Sequence, residues 1–420
     1  MNVMRILYNL ILIILSPVLL FSLYKKKEGK PSFGKRWKEH FGICPKYNGS
    51  SQPVWIHAVS VGESIAAIPL IRAIKQSNPK QNIVVTTTTS TGAAQIEKLG
   101  NLVEHRYMPI DFTWAINGFL NAIKPSQLLI IETELWPNTL HQLGKKHIPI
   151  TVVNARLSEK SCRNYEKVGR LFKQMQENID QILCQSEADA KRFARLGVDN
   201  QKLQVTGSIK FDIQISNNIQ QQGRLLREHI GSDRPVWIAA STHAGEDEII
   251  LSSHRRILDK NKDALLIIVP RHPERFNDVY QLSIGAGFNV ARRTVTDSLN
   301  QSSQVYLADT MGEMLILLSS ADICFMGGSL LGKKVGGHNL LEPTAVGIPS
   351  ITGPSYFNFK EITEALVEEK IVSITSSEDE IANSLEQFWQ SDSTKVKQRA
   401  LQFIAHQGGA IQKTLSHIKL

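Results

Sequence analysis

Cysteine is scarce in this sequence, with four residues in 420, at positions 44, 162, 184 and 324. They lie far apart and form no C-x-x-C pair, which excludes a cysteine-based zinc site and a disulfide scaffold. Such usage suits a reducing compartment. The sequence also lacks fixed-period repeats, and its 42% hydrophobic and 21% charged residues are typical of a folded globular chain rather than a disordered one.

Two signatures of nucleotide chemistry are absent as well. No Asp-x-Asp follows an apolar run, although that pair is the usual device for holding a metal on a sugar nucleotide. The segment GGSLLGKK at 327–334 approaches a Walker A loop, but it ends in Lys334 rather than Ser or Thr, and a second glycine pair follows instead of a helix. We therefore predict neither a metal site nor a bound cofactor.

Positive charge is distributed unevenly along the chain. The formal net charge is +9, of which +7 comes from residues 1–38, so the remaining 382 residues hold only +2. Binding to nucleic acid requires basic side chains spread over a face. The distribution therefore argues against a nucleic-acid partner.

The N-terminal end has the composition of a membrane anchor. Residues 6–24 are 19 consecutive uncharged positions, ILYNLILIILSPVLLFSLY. A helix rises about 1.5 Å per residue, so this run just covers a hydrocarbon core of about 30 Å. Asn9 and Pro17 weaken the run, which leaves a tilted interfacial helix as an alternative to a span. A cleaved signal peptide is a third interpretation, but no suitable cleavage site follows.

Basic residues follow the apolar run immediately. Lys25, Lys26 and Lys27 favour an orientation with the rest of the chain on the cytoplasmic side of the membrane. A strip with four cations and Trp37 continues to residue 38. Such a strip suits anionic headgroups or the phosphates of a lipid substrate, although topology signalling alone explains it equally well.

Short apolar runs recur through the rest of the chain, each ending in Gly, Ser, Thr or Asn or followed by helical periodicity. In the first half they are 54–58, 83–88, 128–131, 150–154, 181–184 and 204–207. In the second half they are 236–240, 264–269, 304–307, 323–325, 350–352 and 371–374. This alternation predicts an α/β chain with two doubly wound Rossmann-like domains, and two such domains imply a cleft with ligands at the carboxyl ends of the strands.

The domain boundaries follow from composition. We expect an anchor with its basic flank at 1–30, one Rossmann-like domain at 31–212, a polar linker with an entry helix at 213–234, and a second Rossmann-like domain at 235–420. A final helix is predicted from about residue 392. The sequence leaves open which domain that helix joins.

The first predicted strand leads into HAVSVGES, where Glu63 lies three residues after Ser60. Ser-x-x-Glu before an apolar run is a capping box, which gives Glu63 a structural role. Alternatively, Glu63 lies at a strand-to-helix turn facing the cleft, where the helix dipole favours the ionised form that a general base requires. Both interpretations stay open at this point.

Three other charged residues follow predicted strands in the first half. Glu132 and Glu134 come directly after the strand at 128–131, and carboxylates that leave a buried strand are costly unless they are exposed or paired. Glu134 has the alternative role of capping the next helix. Lys210 lies just past the last predicted strand, either as a solvated lysine or as a functional cation between the domains.

Three loops of the second half are candidates for ligand binding. The segment PRHPERF at 270–276 carries two guanidinium groups on an extended loop fixed by its prolines. The segment DTMGE at 309–313 precedes a helix whose first N–H groups are available to an anion. In GGHNLLEP at 336–343, Asn339 and Glu342 are spaced as a capping box, but Glu342 is also placed to accept hydrogen bonds from a ribose diol.

Nine segments in one order carry a family resemblance: HAVSVGES, ETELWPN, NARLS, TGSIKFD, STHAGE, VPRHPERF, DTMGEM, GGS and GGHNLLEP. Together they resemble the lipid A Kdo transferases, the bacterial 3-deoxy-D-manno-oct-2-ulosonic acid transferases, over essentially the whole chain. Two positions depart from the family pattern. Ala308 stands where Gly is common, and Ser355 stands where His is common, which puts one donor-side contact in doubt.

The resemblance implies a GT-B architecture and an inverting, metal-independent transfer of Kdo from CMP-Kdo to a tetraacylated lipid A precursor, in lipopolysaccharide core biosynthesis. It implies an acceptor-binding first domain and a CMP-Kdo-binding second domain at the cytoplasmic side of the bacterial inner membrane. By this resemblance Glu63 is the general base, and Glu132 and Lys210 stabilise the transition state. The implied CMP contacts are Pro270, Arg271, Met311, Gly312, Glu313, Asn339, Leu340, Leu341 and Glu342.

Two other function classes compete with this one. A GT-B-like sugar-nucleotide epimerase would use the same loops but has no need of an anchor. A membrane-tethered nucleic-acid binder would need more charge than the body of the chain carries. The sequence does not give the number of Kdo units added, the acyl-chain preference or the oligomeric state.

Overall fold

The computed structural model describes residues 3–25, 31–213 and 215–420 of the chain. Lys26, Lys27 and Lys30 of the predicted basic strip lie outside these residues. The described chain divides into two compact units. The first unit runs to Asp212 and includes Gln407–Leu420, and the second unit is Ile213–His406.

The first unit contains a seven-stranded sheet in which every strand pairs parallel to its neighbours. Its strands are β1 (Val54–His57), β2 (Ile83–Thr87), β3 (Glu104–Tyr107), β4 (Gln127–Ile131), β5 (Ile150–Ala155), β6 (Gln181–Cys184) and β7 (Leu203–Val205). Its helices up to residue 212 are α1 (Val3–Tyr24), α2 (Val61–Ser77), α3 (Ser90–Glu97), α4 (Thr113–Ile123), α5 (Pro137–Lys145), α6 (Glu159–Lys167), α7 (Gly169–Gln176) and α8 (Glu187–Arg195). The strand order is β3-β2-β1-β4-β5-β6-β7.

Helices cover both faces of this sheet, and its central strands are therefore buried at every position. Successive side chains of a strand point to opposite faces. Accordingly, Trp55 of β1 belongs to a buried cluster with Phe119 of α4. Its neighbour Ile56 belongs to the opposite cluster with Ile71 of α2. Such continuous apolar strands are typical of parallel sheets covered on two sides.

The second unit repeats this architecture. Its strands are β8 (Val236–Thr242), β9 (Leu265–Pro270), β10 (Val290–Arg292), β11 (Val305–Leu307), β12 (Ile323–Met326), β13 (Ser350–Thr352) and β14 (Val372–Ile374). All pair in parallel, in the order β10-β11-β9-β8-β12-β13-β14. Its helices are α9 (Asn217–Ile230), α10 (Asp247–Lys260), α11 (Phe276–Gly285), α12 (Met314–Ser319), α13 (Leu341–Val346), α14 (Lys360–Glu368), α15 (Glu378–Gln390) and α16 (Ser393–Gln407).

Each sheet has one point at which the strand order reverses. In the first sheet the chain builds β1, β2 and β3 outward, then returns to the other side of β1 with β4. In the second sheet the reversal falls between β8 and β12. Open parallel sheets bind ligands at the carboxyl ends of the strands beside such a reversal. The two reversals therefore mark where each unit is expected to hold a ligand.

The predicted fold class is confirmed, and all twelve predicted strands are present within two residues of their expected bounds. Two strands were not predicted, β3 and β10. Both lie at an edge of their sheet. Sequence periodicity did not find them because they are short and carry charged side chains, with the residues EHRY and VAR.

The polar segment after residue 212 and the chain's last helix join different units. Helix α9, expected as an entry helix, packs on α12 of the second unit, where a Cβ at Gly223 would meet Ser319 at 2.4 Å. The predicted C-terminal helix is two helices, because Gly409 takes a φ of 83° between α16 and α17 (Ala410–His417). Helix α17 joins the first unit, where the Asp212 carboxylate accepts the backbone N–H of Ile411 at 2.5 Å.

Helix α1 is long and apolar enough to cross a membrane, by length and composition. It is also attached to the first unit through polar side chains. Tyr8 donates to the Asp111 carboxylate at 2.9 Å, and Asn138 donates to the Asn9 side chain at 2.6 Å. Its remaining surface is largely exposed leucine, isoleucine, valine and phenylalanine.

Candidate active site

Glu63 lies in the first turn of α2, directly beyond β1, and is part of a capping box. The Ser60 hydroxyl accepts the Glu63 N–H at 3.2 Å and donates to one Glu63 carboxylate oxygen at 2.7 Å. The other carboxylate oxygen accepts the Val59 N–H at 2.7 Å. The structure therefore confirms the capping interpretation of Glu63. It does not exclude a second role, because each carboxylate oxygen keeps a lone pair.

The electrostatic surroundings of Glu63 differ from the sequence expectation. The helix dipole was expected to favour the ionised form, but the residue is only 7% exposed. Burial raises the pKa of Glu63, and the Glu132 charge adds to the rise, while the Ser60 and Val59 hydrogen bonds oppose it. A carboxylate with a raised pKa is a stronger base than an ordinary one, which suits proton abstraction.

Glu132 and Lys210, which the sequence places 78 residues apart, form an ion pair. Lys210 Nζ lies 2.9 Å from Glu132 Oε1, and both side chains are partly exposed. Glu132 is the first residue after β4, and its φ of 62° is a left-handed conformation that a residue with a side chain rarely adopts. Strain of this kind persists where the surrounding structure enforces it, often at functional sites. It turns the carboxylate toward the lysine at the strand-order reversal.

The turn that carries Lys210 is held by Asn154, at the end of β5. The Asn154 side-chain oxygen accepts the Ile209 N–H at 3.1 Å. Asn154 is fully buried, and its own φ is 57°. Sequence analysis singled out NARLS only as a family motif. The structure gives its asparagine the task of placing the lysine.

Glu134 is a third carboxylate in this group. It does not cap α5, because that helix begins at Pro137 without a side-chain cap. Burial, with the nearby charges of Glu63 and Glu132, raises the pKa of Glu134 to about 6. In the described part of the chain it has no hydrogen-bonding partner. Glu63, Glu132, Glu134 and Lys210 thus form one charged cluster beside the β1–β4 reversal.

The implied CMP contacts of the second unit follow neighbouring strands. Pro270 ends β9, and the Arg271 N–H donates to the Thr242 carbonyl of β8 at 3.0 Å. Met311, Gly312 and Glu313 follow β11 and lead into α12. Met311 is 64% exposed, and Gly312 takes a φ of 85°, so this turn presents its backbone to solvent.

Glu313 is already paired in this structure. Arg293 contacts its carboxylate at 2.8 Å, and this ion pair lowers the pKa of Glu313. The Thr310 hydroxyl donates to the same carboxylate. The pairing fixes the side chain, so it leaves the neighbouring backbone as the part of the turn that can meet a ligand.

The last implied contacts lie at the start of α13, and their local structure corrects one expectation. Asn339 and Glu342 do not form a capping box, because the Asn339 side chain accepts the Leu341 N–H at 3.1 Å and the helix begins at Leu341. Leu340 and Leu341 are buried. Burial raises the pKa of Glu342, and the positive charge of Arg271 opposes the rise. That opposition shows that the loops after β9 and β12 approach each other.

Glu246 is a structural centre of the second unit that sequence analysis did not single out. Its fully buried carboxylate accepts backbone N–H groups from His243 at 3.0 Å, Gly328 at 2.7 Å, Ser329 at 2.9 Å and Leu330 at 3.0 Å. It thereby ties the loop after β8 to the glycine loop after β12. A glutamate four residues past an apolar strand, as in STHAGE, is the signal that was available.

Two doubly wound units, each with polar loops at its strand-order reversal, define the GT-B architecture. Residues 233–402 match the family described as glycosyl transferases group 1. The fold is also that of a UDP-GlcNAc 2-epimerase from Neisseria meningitidis, with a TM-score of 0.57 at 15% identity over 87% of this chain and 98% of that one. At that identity the likeness concerns the fold alone.

Closer relatives identify the family. Residues 35–213 match the family described as 3-deoxy-D-manno-octulosonic-acid transferase. The chain is 39% identical to the 3-deoxy-D-manno-octulosonic acid transferase of Haemophilus influenzae over 99% of this chain and 98% of the relative. It is 33% identical to that of Rickettsia bellii over 84% of this chain and 83% of the relative. The chain belongs to the 3-deoxy-D-manno-octulosonic acid (Kdo) transferase family, which confirms the resemblance seen in its motifs.

Proposed function

We propose that this Kdo transferase uses CMP-Kdo as donor and a tetraacylated lipid A precursor as acceptor, inverts the anomeric centre, and needs no metal. The observation that supports the proposal most is the charged cluster beside the β1–β4 reversal. There a buried carboxylate with a raised pKa, Glu63, lies near the Glu132–Lys210 ion pair. A base beside a fixed pair of charges is what direct displacement at a sugar carbon requires.

In the proposed step, Glu63 accepts the proton of the attacking acceptor hydroxyl. The hydroxyl oxygen forms a bond to the anomeric carbon of Kdo as the bond from that carbon to the CMP phosphate oxygen breaks, through an oxocarbenium-like state. The phosphate oxygen keeps the electron pair, so CMP departs as an anion and needs no acid. Because attack and departure occur on opposite sides of the carbon, the configuration inverts.

We assign the Glu132–Lys210 pair to the charge that develops during this step. A positioned ion pair costs little reorganisation when charge shifts beside it, and such preorganised groups are typically worth about 10²–10³-fold in turnover. Lys210 is partly exposed. Glu132, whose backbone is in the left-handed conformation, holds the lysine through the ion pair. Arg271 and the backbone turn at 311–313 then stabilise the departing phosphate on the donor side.

We assign α1 to membrane attachment on the cytoplasmic face of a bacterial inner membrane. Its hydrogen bonds from Tyr8 and to Asn9 hold one side of the helix on the first unit, and its other sides are apolar and exposed. This arrangement favours a helix lying in the interface over one that projects away from the unit. The lipid acceptor and the first unit then share one surface.

The test is incubation of the full chain with CMP-Kdo and lipid A precursor in vesicles, read by product mass and by the anomeric configuration of the new linkage. We expect an adduct of one or more Kdo units with inverted configuration, in the presence of a chelator. Absence of any adduct contradicts the donor and acceptor assignment. Conversion of UDP-GlcNAc to its 2-epimer would favour the epimerase class instead.

A further inference from the structure

Three histidines that the proposed mechanism does not use lie together in the second unit. His243 directly follows β8, His272 comes two residues after β9, and His338 lies in the loop after β12. These strands are neighbours in the order β9-β8-β12. All three imidazoles are therefore brought to one edge of the sheet, at the point where the strand order reverses.

His243 and His338 are hydrogen-bonded to each other. Their rings are nearly parallel, with an angle of 8° between planes, and their Nε2 atoms lie 2.8 Å apart. The His272 ring stands edge-on to His243 at 5.4 Å between centroids. In the described part of the chain, no group hydrogen-bonds the Nδ1 atom of either paired ring.

The loops on both sides are built around this pair. Gly336 and Gly337 have φ values of 85° and 81°, which turn the chain so that His338 points back. A Cβ at Gly328 would lie 2.9 Å from the His338 ring, so only glycine fits beneath it. On the other side, the buried Glu246 carboxylate accepts the backbone N–H of His243 at 3.0 Å. Neither ring can be displaced without disturbing a loop.

The geometry limits the pair to one additional proton. With both rings neutral, one Nε2–H donates to the Nε2 lone pair of the other ring. A proton added at the free Nδ1 of the donating ring gives an imidazolium whose hydrogen bond to its partner becomes charge-assisted and stronger. A second proton would place two N–H groups against each other at 2.8 Å. The pair can therefore carry a charge of +1 but not +2.

The charged groups around the pair leave it short of an anion. Arg271 and His272 lie on the β9 side, and Arg271 has no carboxylate ion pair in the described residues. Three of the nearby carboxylates are already engaged, since Asp247 pairs with Arg275, Glu246 accepts backbone N–H groups, and Glu274 lies beside His272. The fourth, Glu342, is half-buried and lies near Arg271.

Without a ligand, the surroundings of both rings favour their neutral forms. Burial lowers the pKa of His338 to about 4, helped by Arg271, His243 and His272. Burial likewise lowers the pKa of His243, against the attraction of Glu246 and with the repulsion of its cationic neighbours. A negative group placed at this edge would reverse the balance and favour the protonated pair.

We propose that the His243–His338 pair binds an anionic group of the donor and takes up one proton as it does so. The inference deepens the proposed function and rests on it for the identity of the donor. The anion is either the phosphodiester or the sugar-acid carboxylate, which share the chemistry of a fixed negative oxygen. The added proton gives the pair a positive charge that faces the anion in addition to the charge of Arg271.

Binding and protonation are then linked, and each strengthens the other by the same factor. Between the pKa of the free pair and that of the occupied pair, donor affinity falls about tenfold for each rise of one pH unit, and above the pKa of the occupied pair it levels off. Below the pKa values of the free rings the dependence disappears, because the pair is already protonated. A purely structural hydrogen bond between the rings would give no such dependence.

The experiment is isothermal titration calorimetry of the full chain with CMP-Kdo at pH 7, in buffers of different ionisation enthalpy, which counts protons taken up. We expect about one proton per donor bound. The H243Q and H338Q variants should lose the uptake and bind the donor about tenfold more weakly. H229Q, at an exposed histidine of α9, is the matched control and should behave as the unaltered chain does.

Three further probes separate the sources of the anion. Cytidine 5′-methylphosphate carries the phosphodiester alone, cytidine carries neither anion, and sulfate is an anion that does not titrate near neutrality. Uptake with the methylphosphate assigns the pair to the phosphodiester, and uptake with CMP-Kdo only assigns it to the carboxylate.

CMP-Kdo binding without proton uptake, or with equal uptake in H243Q and H338Q, overturns the inference and leaves the proposed function standing. If CMP-Kdo does not bind at all, the proposed donor is wrong, and the sulfate titration decides the inference by itself. Proton uptake with sulfate then supports an anion site at the pair, and its absence overturns it.

Discussion

At the residue scale, Glu63 joins two tasks that usually fall to different side chains. It completes the capping box of α2, and it is the buried carboxylate that we propose takes the proton from the hydroxyl group of the acceptor. These tasks are compatible because hydrogen bonds from Ser60 and Val59 orient the carboxylate and limit how far burial raises its pKa. A variant must therefore be compared with another capping glutamate before its effect is assigned to catalysis.

The chain offers such a comparison. Glu380 accepts the Ser376 N–H at 2.7 Å at the start of α15, in an exposed capping box. We expect E63Q to lower kcat by about two decades or more, as loss of a general base does, while CMP-Kdo binding is retained. E380Q should leave kcat unchanged. Near-normal turnover in E63Q would remove Glu63 as the base.

The Glu132–Lys210 pair gives a second prediction at this scale. K210M leaves Glu132 without its cation, so we expect kcat to fall about 10²-fold with little change in donor Kd. Steady-state kinetics together with donor titration measure the two effects separately. K191M, at an exposed lysine of α8, is the control. A loss of donor affinity with unchanged kcat would place Lys210 in donor binding instead.

Glu134 gives a prediction about stability and pH. Its pKa is raised to about 6 in the folded chain, above the ordinary value of 4.5. The folded state therefore binds more protons than the unfolded state between these values, and the ionised carboxylate destabilises the fold as pH rises through them. E134Q should raise the melting temperature at pH 7.5 but not at pH 4. An equal change at both pH values would show that its charge is not the cause.

At the element scale, two buried side chains hold loops of the candidate site through hydrogen bonds to backbone groups alone. Asn154 fixes the turn that carries Lys210, and Glu246 joins the loops after β8 and β12. Neither was distinguished by the sequence from an ordinary cap or surface polar residue, because their partners lie 55 and 82 positions away. Periodicity and capping patterns are signals within a few consecutive residues, whereas these contacts join distant parts of the chain.

The role of Glu246 is testable with its neighbour Glu248, which is exposed. E246Q places an amide N–H against backbone N–H groups, and losing buried charge-assisted hydrogen bonds typically costs about 1.5–3 kcal/mol. We therefore expect about tenfold or greater loss of CMP-Kdo affinity and a lower melting temperature. E248Q should change neither quantity. Unaltered donor binding in E246Q would show that the glycine loop does not depend on this carboxylate.

Strand prediction shows a related limit. The bounds of central strands such as β1 and β4 were predicted to within one residue, because a strand buried on both faces is largely apolar along its whole length. The edge strand β3 alternates between buried and half-exposed side chains and carries two charges in four residues. Its pairing with β2 is what makes it a strand, and sequence windows do not contain that partner.

At the scale of the whole molecule, charge and hydropathy are segregated to the N-terminal end. The body of the chain is close to neutral, and α1 exposes a long run of large apolar side chains. A deletion of residues 1–24 is expected to keep CMP-Kdo binding, to weaken binding to anionic vesicles, and to reduce transfer to acceptor embedded in them. Vesicle sedimentation and product mass are the measurements.

The control for this deletion keeps the apolar run and removes its attachment. Y8F and N9A together break the hydrogen bonds that join α1 to Asp111 and Asn138. This variant should still bind vesicles. Equal transfer by the deleted and unaltered chains on embedded acceptor would show that α1 is dispensable.

The sequence by itself determined the α/β class, the two doubly wound units and the family, because buried parallel strands and motif order are written in consecutive residues. It also marked Glu63, Glu132 and Lys210 as candidates. Only the tertiary structure decided that Glu132 and Lys210 pair, that Glu134 does not cap α5 and that α17 joins the first unit. It alone brought His243 to His338. These outcomes depend mainly on contacts between residues that are distant along the chain, which a local sequence pattern does not contain.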